Sequence, residues 1–236
     1  RNMCGRFAME EMLNDMVAEF GLKGLPNREL SFDWNIKPTQ DIYIVKGENL
    51  EIASWGLIAP WSKNSTEALR SQSAAINARS ETVHEKPTFK NAFRRSRCLV
   101  PATGYYEWAT ELGRYKPRQP VYISRDDEKM LVFAGIQDQW VAPDGQVKSS
   151  VAIITRDAVG ELATVHSRMP MFLPKDRWEA WMDPALQDIQ KIRSLFDNFQ
   201  PDAHLRFWTV SDAVNSIKNS GRELIEPVDA IPETLF

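Results

Sequence analysis

Cysteine and histidine are scarce in this sequence. Cys4 and Cys98 are the only cysteines and His84, His166 and His204 the only histidines in 236 residues. Two cysteines so far apart exclude a disulfide framework and a zinc knuckle, which need more thiols at closer spacing. The histidines stand in unrelated contexts, so neither a metal nor a cofactor is expected. The longest apolar run, Met130 to Ile136, falls far short of the ~18 residues of a membrane span, and no secretory pattern is found. No charge sign dominates either. With 29 Lys and Arg against 32 Asp and Glu, the net charge is −3. That excludes a surface coated in basic groups but leaves room for a local positive groove. Internal repeats, low-complexity linkers and a domain seam are also lacking, and the length suits one domain. A soluble, cytoplasmic monomer is the expectation.

What is present begins with Met3-Cys4-Gly5-Arg6-Phe7. A cysteine directly after a methionine can become the first residue of a mature chain. Its α-amine, with an ordinary pKa near ~8, and its thiol, near ~8.5, then sit on adjacent carbons. Such a 1,2-aminothiol condenses with an aldehyde to a Schiff base and then a five-membered thiazolidine. Arg1 and Asn2 precede the methionine, so residues 1–3 are read as a vector scar or a short pro-segment and residues 4–236 as the domain. The competing reading is an ordinary small buried cysteine.

Met9, Met12, Leu13, Met16, Val17 and Phe20 recur at helical spacing, predicting a helix over 9–20 stopped by Gly21. A loop over 21–41 holds Trp34-Asn35-Ile36-Lys37-Pro38. Short strands are predicted at 42–45 and 50–55. Two tryptophans follow among Gly and Pro, where Trp55 reads as packing. Trp61 admits two readings, a ring tucked into the core or a platform on which a base stacks. Residues 62–73 are polar and read as mobile. Residues 74–79 read as extended, with Asn77 and Arg79 on one face. A helix is predicted over 87–96, and between residues 85 and 97 lies the densest positive cluster, Lys86, Lys90, Arg94, Arg95 and Arg97. Further strands are predicted at 120–124, 130–136 and 149–156, joined as antiparallel hairpins. Two helices, 175–182 and 185–199, and a strand near 205–210 follow.

Two segments stand out chemically. Gly104-Tyr105-Tyr106-Glu107-Trp108 sets a lone acid among aromatics; if buried, its pKa rises and suits proton transfer, whereas a wet strand face is the plainer alternative. In Val165-His166-Ser167-Arg168-Met169-Pro170 the proline favours extended geometry, projecting His166 and Arg168 to the same side. The histidine can hold or donate a proton near neutral pH, and the arginine fork suits phosphate.

Cys4-Gly5-Arg6-Phe7, Asn77-Ala78-Arg79, Gly104 to Trp108 and His166 to Pro170, in that order, resemble the SOS-response-associated peptidase (SRAP) family, also called abasic-site processing proteins. Trp34 to Pro38, Trp55 to Trp61 and Val214 to Pro227 extend the likeness over nearly the whole chain. The resemblance implies an α+β fold, a single compact domain with a mainly antiparallel, barrel-like β core flanked by helices. It implies covalent capture of abasic sites in single-stranded DNA through an N-terminal cysteine, with possible self-processing peptidase and lyase-type activity. Cys4 would supply amine and thiol, Asn77 would orient the sugar or terminus, Glu107 would move protons, and His166 would help open the deoxyribose ring. Arg6, Asn35, Pro38, Trp61, Arg79 and Arg168 would meet the DNA. Two other classes compete: an N-terminal-cysteine amidohydrolase of the glutamine amidotransferase kind, and a non-catalytic single-strand-binding module.

Overall fold

The computed structural model describes residues 4–111 and 114–229; the scar or pro-segment reading of residues 1–3 lies outside the described residues. Their strands are β1 Arg6–Met9, β2 Asp33–Ile36, β3 Asp41–Lys46, β4 Asn49–Trp55, β5 Asn77–Arg79, β6 Arg97–Ala102, β7 Gly104–Trp108, β8 Pro120–Arg125, β9 Leu131–Val141, β10 Val147–Asp157, β11 Arg168–Pro170 and β12 Leu205–Thr209. The helices are α1 Leu13–Phe20, α2 Ser65–Ala74, α3 Lys90–Arg95, α4 Trp178–Met182 and α5 Ile189–Ser194.

β10, β4, β3, β6 and β9 pair in that order, and β9 pairs back onto β10. The result is a closed five-stranded barrel, which removes the open edges a sheet otherwise has to protect. Among the strands of the described residues, only the β10–β4 and β10–β5 pairings are parallel. A second sheet, ordered β12-β8-β7-β1-β2, packs on the barrel. Phe7 of β1 joins the two, with its ring 5.0 Å from Trp55 and 6.0 Å from Phe133. Gly104 is required where β7 meets β8: a Cβ there would fall 2.3 Å from the Tyr122 ring. The chain is thus α+β, with a mainly antiparallel barrel core and few helices.

Local chemistry explains where the elements depart from the sequence pattern. The helix expected over 9–20 begins only at Leu13, because Met9 belongs to β1. It ends as expected, with Gly21 in the left-handed region (φ +60°) donating its N–H to Val17 O. The stretch read as mobile contains α2. Asn64 Oδ1 accepts from Glu67 N at 2.9 Å, and Glu67 Oε2 accepts from Lys63 N at 2.7 Å, so both cap a helix whose apolar face is weak. The helix expected over 185–199 shrinks to α5. β9 and β10 form the predicted hairpin, but β8 pairs with β7 and β12. Arg97 leaves the basic cluster altogether. It is 2% exposed and donates to the carbonyls of Phe93, Arg94, Trp181, Asp183 and Leu186, stapling α3 to the segment around α4. No helix among the described residues is long and apolar enough to cross a membrane.

Candidate active site

The pairing of β1 with β7 sets the site. Arg6 lies opposite Tyr106 and Phe7 opposite Tyr105, so the residues just before β1 run alongside the end of β7. Cys4 N donates to Glu107 Oε2 at 3.1 Å. Cys4 itself takes a left-handed conformation (φ 48°), uncommon for a residue with a Cβ and a frequent mark of functional sites. The third partner arrives from β11's approach. Thr110 N donates to Val165 O at 2.9 Å, tying the chain after β7 to the His166 segment. His166 Nε2 stands 4.0 Å from Glu107 Oε1, too far for a direct hydrogen bond and near enough for one oxygen atom of a ligand to touch both.

Electrostatics follow from burial. Glu107 is 4% exposed. Loss of water pushes its carboxyl up to about 7, against the lowering effect of the N–H groups of Cys4 and Trp108. The plainer reading of Glu107, on a wet strand face, does not hold. The Cys4 thiol is raised well above its ordinary value, first by burial and then by the nearby Glu107 charge. Burial lowers His166 from 6.5, so at pH 7 it is mostly neutral. Arg168 N donates to His166 Nδ1 at 3.0 Å. That bond needs the lone pair on Nδ1, which leaves the ring proton on Nε2, facing Glu107.

Glu107 and His166 open onto a cleft of about 610 Å³, walled also by Arg6, Trp108, Lys116 and Arg118. Arg6 Nη1 donates to Asn35 Oδ1 at 3.0 Å and Val214 O at 2.8 Å, and its guanidinium lies 5.9 Å from the Trp108 ring. None of these partners is a carboxylate, so its charge is available to an anion in the cleft. Asn35 is fully buried, and its amide donates to the carbonyls of Val214, Ser216 and Asn219, fixing the segment against which Arg6 rests. Pro38 sits half-buried in the turn after β2. A second cleft, of about 700 Å³, is lined by Asn77, Arg79 and Trp61 together with Lys63, Arg70 and Lys86. Trp61 is 57% exposed while Trp55 is fully buried. The alternative of a Trp61 ring tucked into the core therefore drops out.

Cys4, Glu107 and His166 thus meet, whereas Asn77, Trp61 and Arg79 line the second cleft. Arg168 departs from the expected open fork. Its side chain is 5% exposed and faces Glu81 and Asp157, not the cleft of His166. Trp108, which closes that cleft and donates through Nε1 to Asn215 Oδ1 at 2.7 Å, was not singled out by the sequence; its place beside Glu107 at the strand end was the available signal. Cys98 is buried with its thiol pushed up to about 12, as packing requires. Among the described residues, Asp126, Asp127 and His204 form an exposed triplet, but both Asp127 oxygens already receive hydrogen bonds from Arg125.

Compared with known families, residues 3–217 match the SOS response associated peptidase (SRAP) family. The abasic site processing protein YoqW of Bacillus subtilis is 32% identical over 231 residues, covering 95% of this chain and 99% of that protein. The mouse abasic site processing protein HMCES is 32% identical over 206 residues, 75% of this chain and 56% of its own length. A solved structure from Bacteroides thetaiotaomicron superposes with a TM-score of 0.81 at 24% identity, over 95% of this chain and 100% of that one. A phage-related protein from Bordetella bronchiseptica does so at 0.65 and 29% identity, over 88% and 94%. The chain belongs to the SRAP family.

Proposed function

We propose that this protein processes abasic sites in single-stranded DNA by forming a covalent link through Cys4. The observation that carries the reading is that Cys4 N and His166 Nε2 flank the one Glu107 carboxylate, and that Glu107 and His166 open onto a cleft whose wall carries Arg6 and Arg118 beside the Lys116–Asp212 ion pair. The names of the relatives support the substrate.

An abasic deoxyribose is mostly a closed hemiacetal, so ring opening precedes any reaction at its aldehyde. Glu107 takes the hydroxyl proton and delivers it to the departing ring oxygen, which the neutral His166 Nε2–H steadies by a hydrogen bond. The α-amine of Cys4 then attacks the aldehyde carbon. The carbinolamine loses water with a proton from Glu107, and Cys4 Sγ adds to the imine carbon while its proton passes to nitrogen. In sum, amine, thiol and aldehyde give thiazolidine and one water. A carboxyl titrating near 7 is poised to give and take protons in turn, and such groups typically contribute ~100- to 10,000-fold each.

The amine must first be freed. Cys4 Sγ can attack the carbonyl carbon of the peptide bond before it, with Glu107 protonating the departing nitrogen it already touches. Water then hydrolyses the thioester and restores the thiol. Arg6 and Arg79 hold phosphates on either side, Asn77 orients the sugar, and Trp61 stacks on a neighbouring base. Asn35 and Pro38 shape the DNA-facing wall from behind. No base is present at the lesion to be read, so binding is largely independent of sequence.

The test compares two forms of the protein, one whose mass after the incubation shows residues 1–3 still attached and one beginning at Cys4, with single-stranded DNA bearing one abasic site. On a denaturing gel only the second should shift covalently, while both bind under native conditions. Equal crosslinking by both, or by neither, overturns the proposal. Ammonia released from glutamine would instead indicate an amidohydrolase, and binding with no covalent product a plain single-strand-binding module.

A further inference from the structure

Arg168 presents its fork to two carboxylates. Nη1 and Nη2 meet Glu81 Oε1 and Oε2 at 2.7 and 3.0 Å, and Nη1 also meets Asp157 Oδ1 at 2.7 Å. Nη2 further donates to Thr155 Oγ1 at 3.2 Å. Two parallel bonds of this kind fix a guanidinium in direction as well as position. Glu81 is the bidentate partner, and the Arg168 hydrogen bonds pull its carboxyl below the ordinary value. Asp157, 79% exposed, adds one bond from a solvated surface. The backbone of this same Arg168 donates to His166 Nδ1. Glu81 is also 3.9 Å from Arg79 Nε, a wall residue of the second cleft.

We propose that Glu81 is a positioning residue for the reaction: by clamping Arg168 it holds the peptide N–H that orients the His166 ring, so that Nε2–H points at Glu107 and at the opening sugar. The inference rests on the catalytic reading of His166 given above. Glu81 touches neither Glu107 nor the cleft into which His166 opens, so its effect passes through Arg168. A phosphate bound at Arg79 draws that side chain from its loose contact and leaves Glu81 wholly to Arg168. Occupancy of the second cleft therefore tightens the clamp.

The test uses the full domain with Cys4 exposed, and the variants Glu81→Gln, Glu81→Asp, His166→Gln and the Glu81→Gln/His166→Gln double variant. Single-turnover crosslinking to abasic single-stranded DNA is read at saturating protein, with affinity for undamaged single strands measured separately. Glu81→Gln should slow crosslinking about tenfold or more, the size expected when a reacting group is misplaced. Affinity should be unchanged or tighter, since a negative neighbour of Arg79 is lost. Glu81→Asp should recover part of the rate. In the His166→Gln background Glu81→Gln should have no further effect, a non-additivity that general loosening of the fold would not produce. Equal slowing in both backgrounds, or no slowing, overturns the proposal. Hydrogen exchange at the Arg168 amide reads the clamp without DNA. It should quicken in Glu81→Gln and recover in Glu81→Asp, and an unchanged rate overturns the clamp even where crosslinking itself fails.

Discussion

Glu107 divides its two carboxylate oxygens between Cys4 and His166: Oε2 accepts the Cys4 N–H at 3.1 Å, and Oε1 faces the imidazole Nε2 at 4.0 Å. In the proposed mechanism one acid would therefore serve both the residue that forms the covalent bond and the residue that helps open the sugar. Glu107→Gln keeps the size of the side chain and a carbonyl acceptor but cannot exchange a proton. The crosslinking rate should fall ~100- to 10,000-fold, with single-strand affinity little changed. In the unaltered protein the proton on Glu107 is lost as pH rises through about 7, so the dehydration step slows above it. A rate profile that keeps this limb in Glu107→Gln would assign it to another group.

The same burial has a consequence for stability. The Glu107 carboxyl moves from 4.5 to about 7 in the native state. As pH rises above 4.5 the unfolded chain ionises first and binds fewer protons than the folded one, so stability falls until Glu107 ionises near 7. Across that window the loss is on the order of 3 kcal/mol. Glu107→Gln has nothing to ionise. Its melting temperature should gain on that of the unaltered protein between pH 4.5 and 7 and keep the lead above. Two melting curves that stay parallel across the window would show that Glu107 is not desolvated as described.

Strands whose alternation or apolar run was strong, β3, β4, β9 and β10, were legible from sequence, because burial against the barrel interior imposes the pattern directly. α2 was not, since side-chain caps hold its N-terminus and its sequence carries little apolar periodicity. The partners of β8 were hidden for another reason: a hairpin with β9 is the local solution, and the pairing with β7 depends on the gap that Gly104 leaves for Tyr122. Within the site, Cys4, Glu107 and His166 could be named from their motifs, but not their mutual distances. Arg168 looked like an open fork because the two acids that fill it, Glu81 and Asp157, come from other parts of the chain. Glu81, two residues beyond Arg79, was the only hint.

Trp61 offers the cleanest separation of binding from folding. More than half its surface is exposed, so Trp61→Ala removes little packing and should leave the melting temperature within about a degree or two. Loss of one stacked base should cost about 1–3 kcal/mol of single-strand affinity, read by fluorescence anisotropy. Unchanged affinity would place the DNA away from the second cleft.

Both thiols are buried, Cys4 at 1% and Cys98 at 0% exposure, and burial raises both pKa values. In the form retaining residues 1–3, a neutral thiol reagent at pH 7.5 should label neither within minutes, since the thiolate is the reacting species. Two equivalents should react in denaturant. Rapid native labelling of Cys4 would mean that the thiol is open to solvent in that form.

Arg97 tests the scaffold behind the site. Its guanidinium is fully enclosed, satisfied by carbonyls alone and set 5.6 Å from the Trp181 ring. No carboxylate hydrogen-bonds to it, and burial brings its pKa down to about 10, with only the more distant Asp183 charge opposing that shift. Arg97→Met fills a similar volume and removes the buried charge, yet it takes the donor from two buried carbonyls, those of Phe93 and Trp181, and from three half-buried ones, of which Asp183 O still accepts from Leu186 N. Each unsatisfied buried acceptor costs about 1–3 kcal/mol, partly offset by relaxation and by the charge no longer being desolvated. A net loss of about 3 kcal/mol or more is therefore expected in urea unfolding, with β6 and the α4 segment the first to gain hydrogen exchange. Arg97→Lys should lie close to Arg97→Met, because an ammonium has three donors for carbonyls arranged around a planar fork. Should the lysine variant match the unaltered protein, the net of carbonyl bonds contributes little and the cation alone suffices.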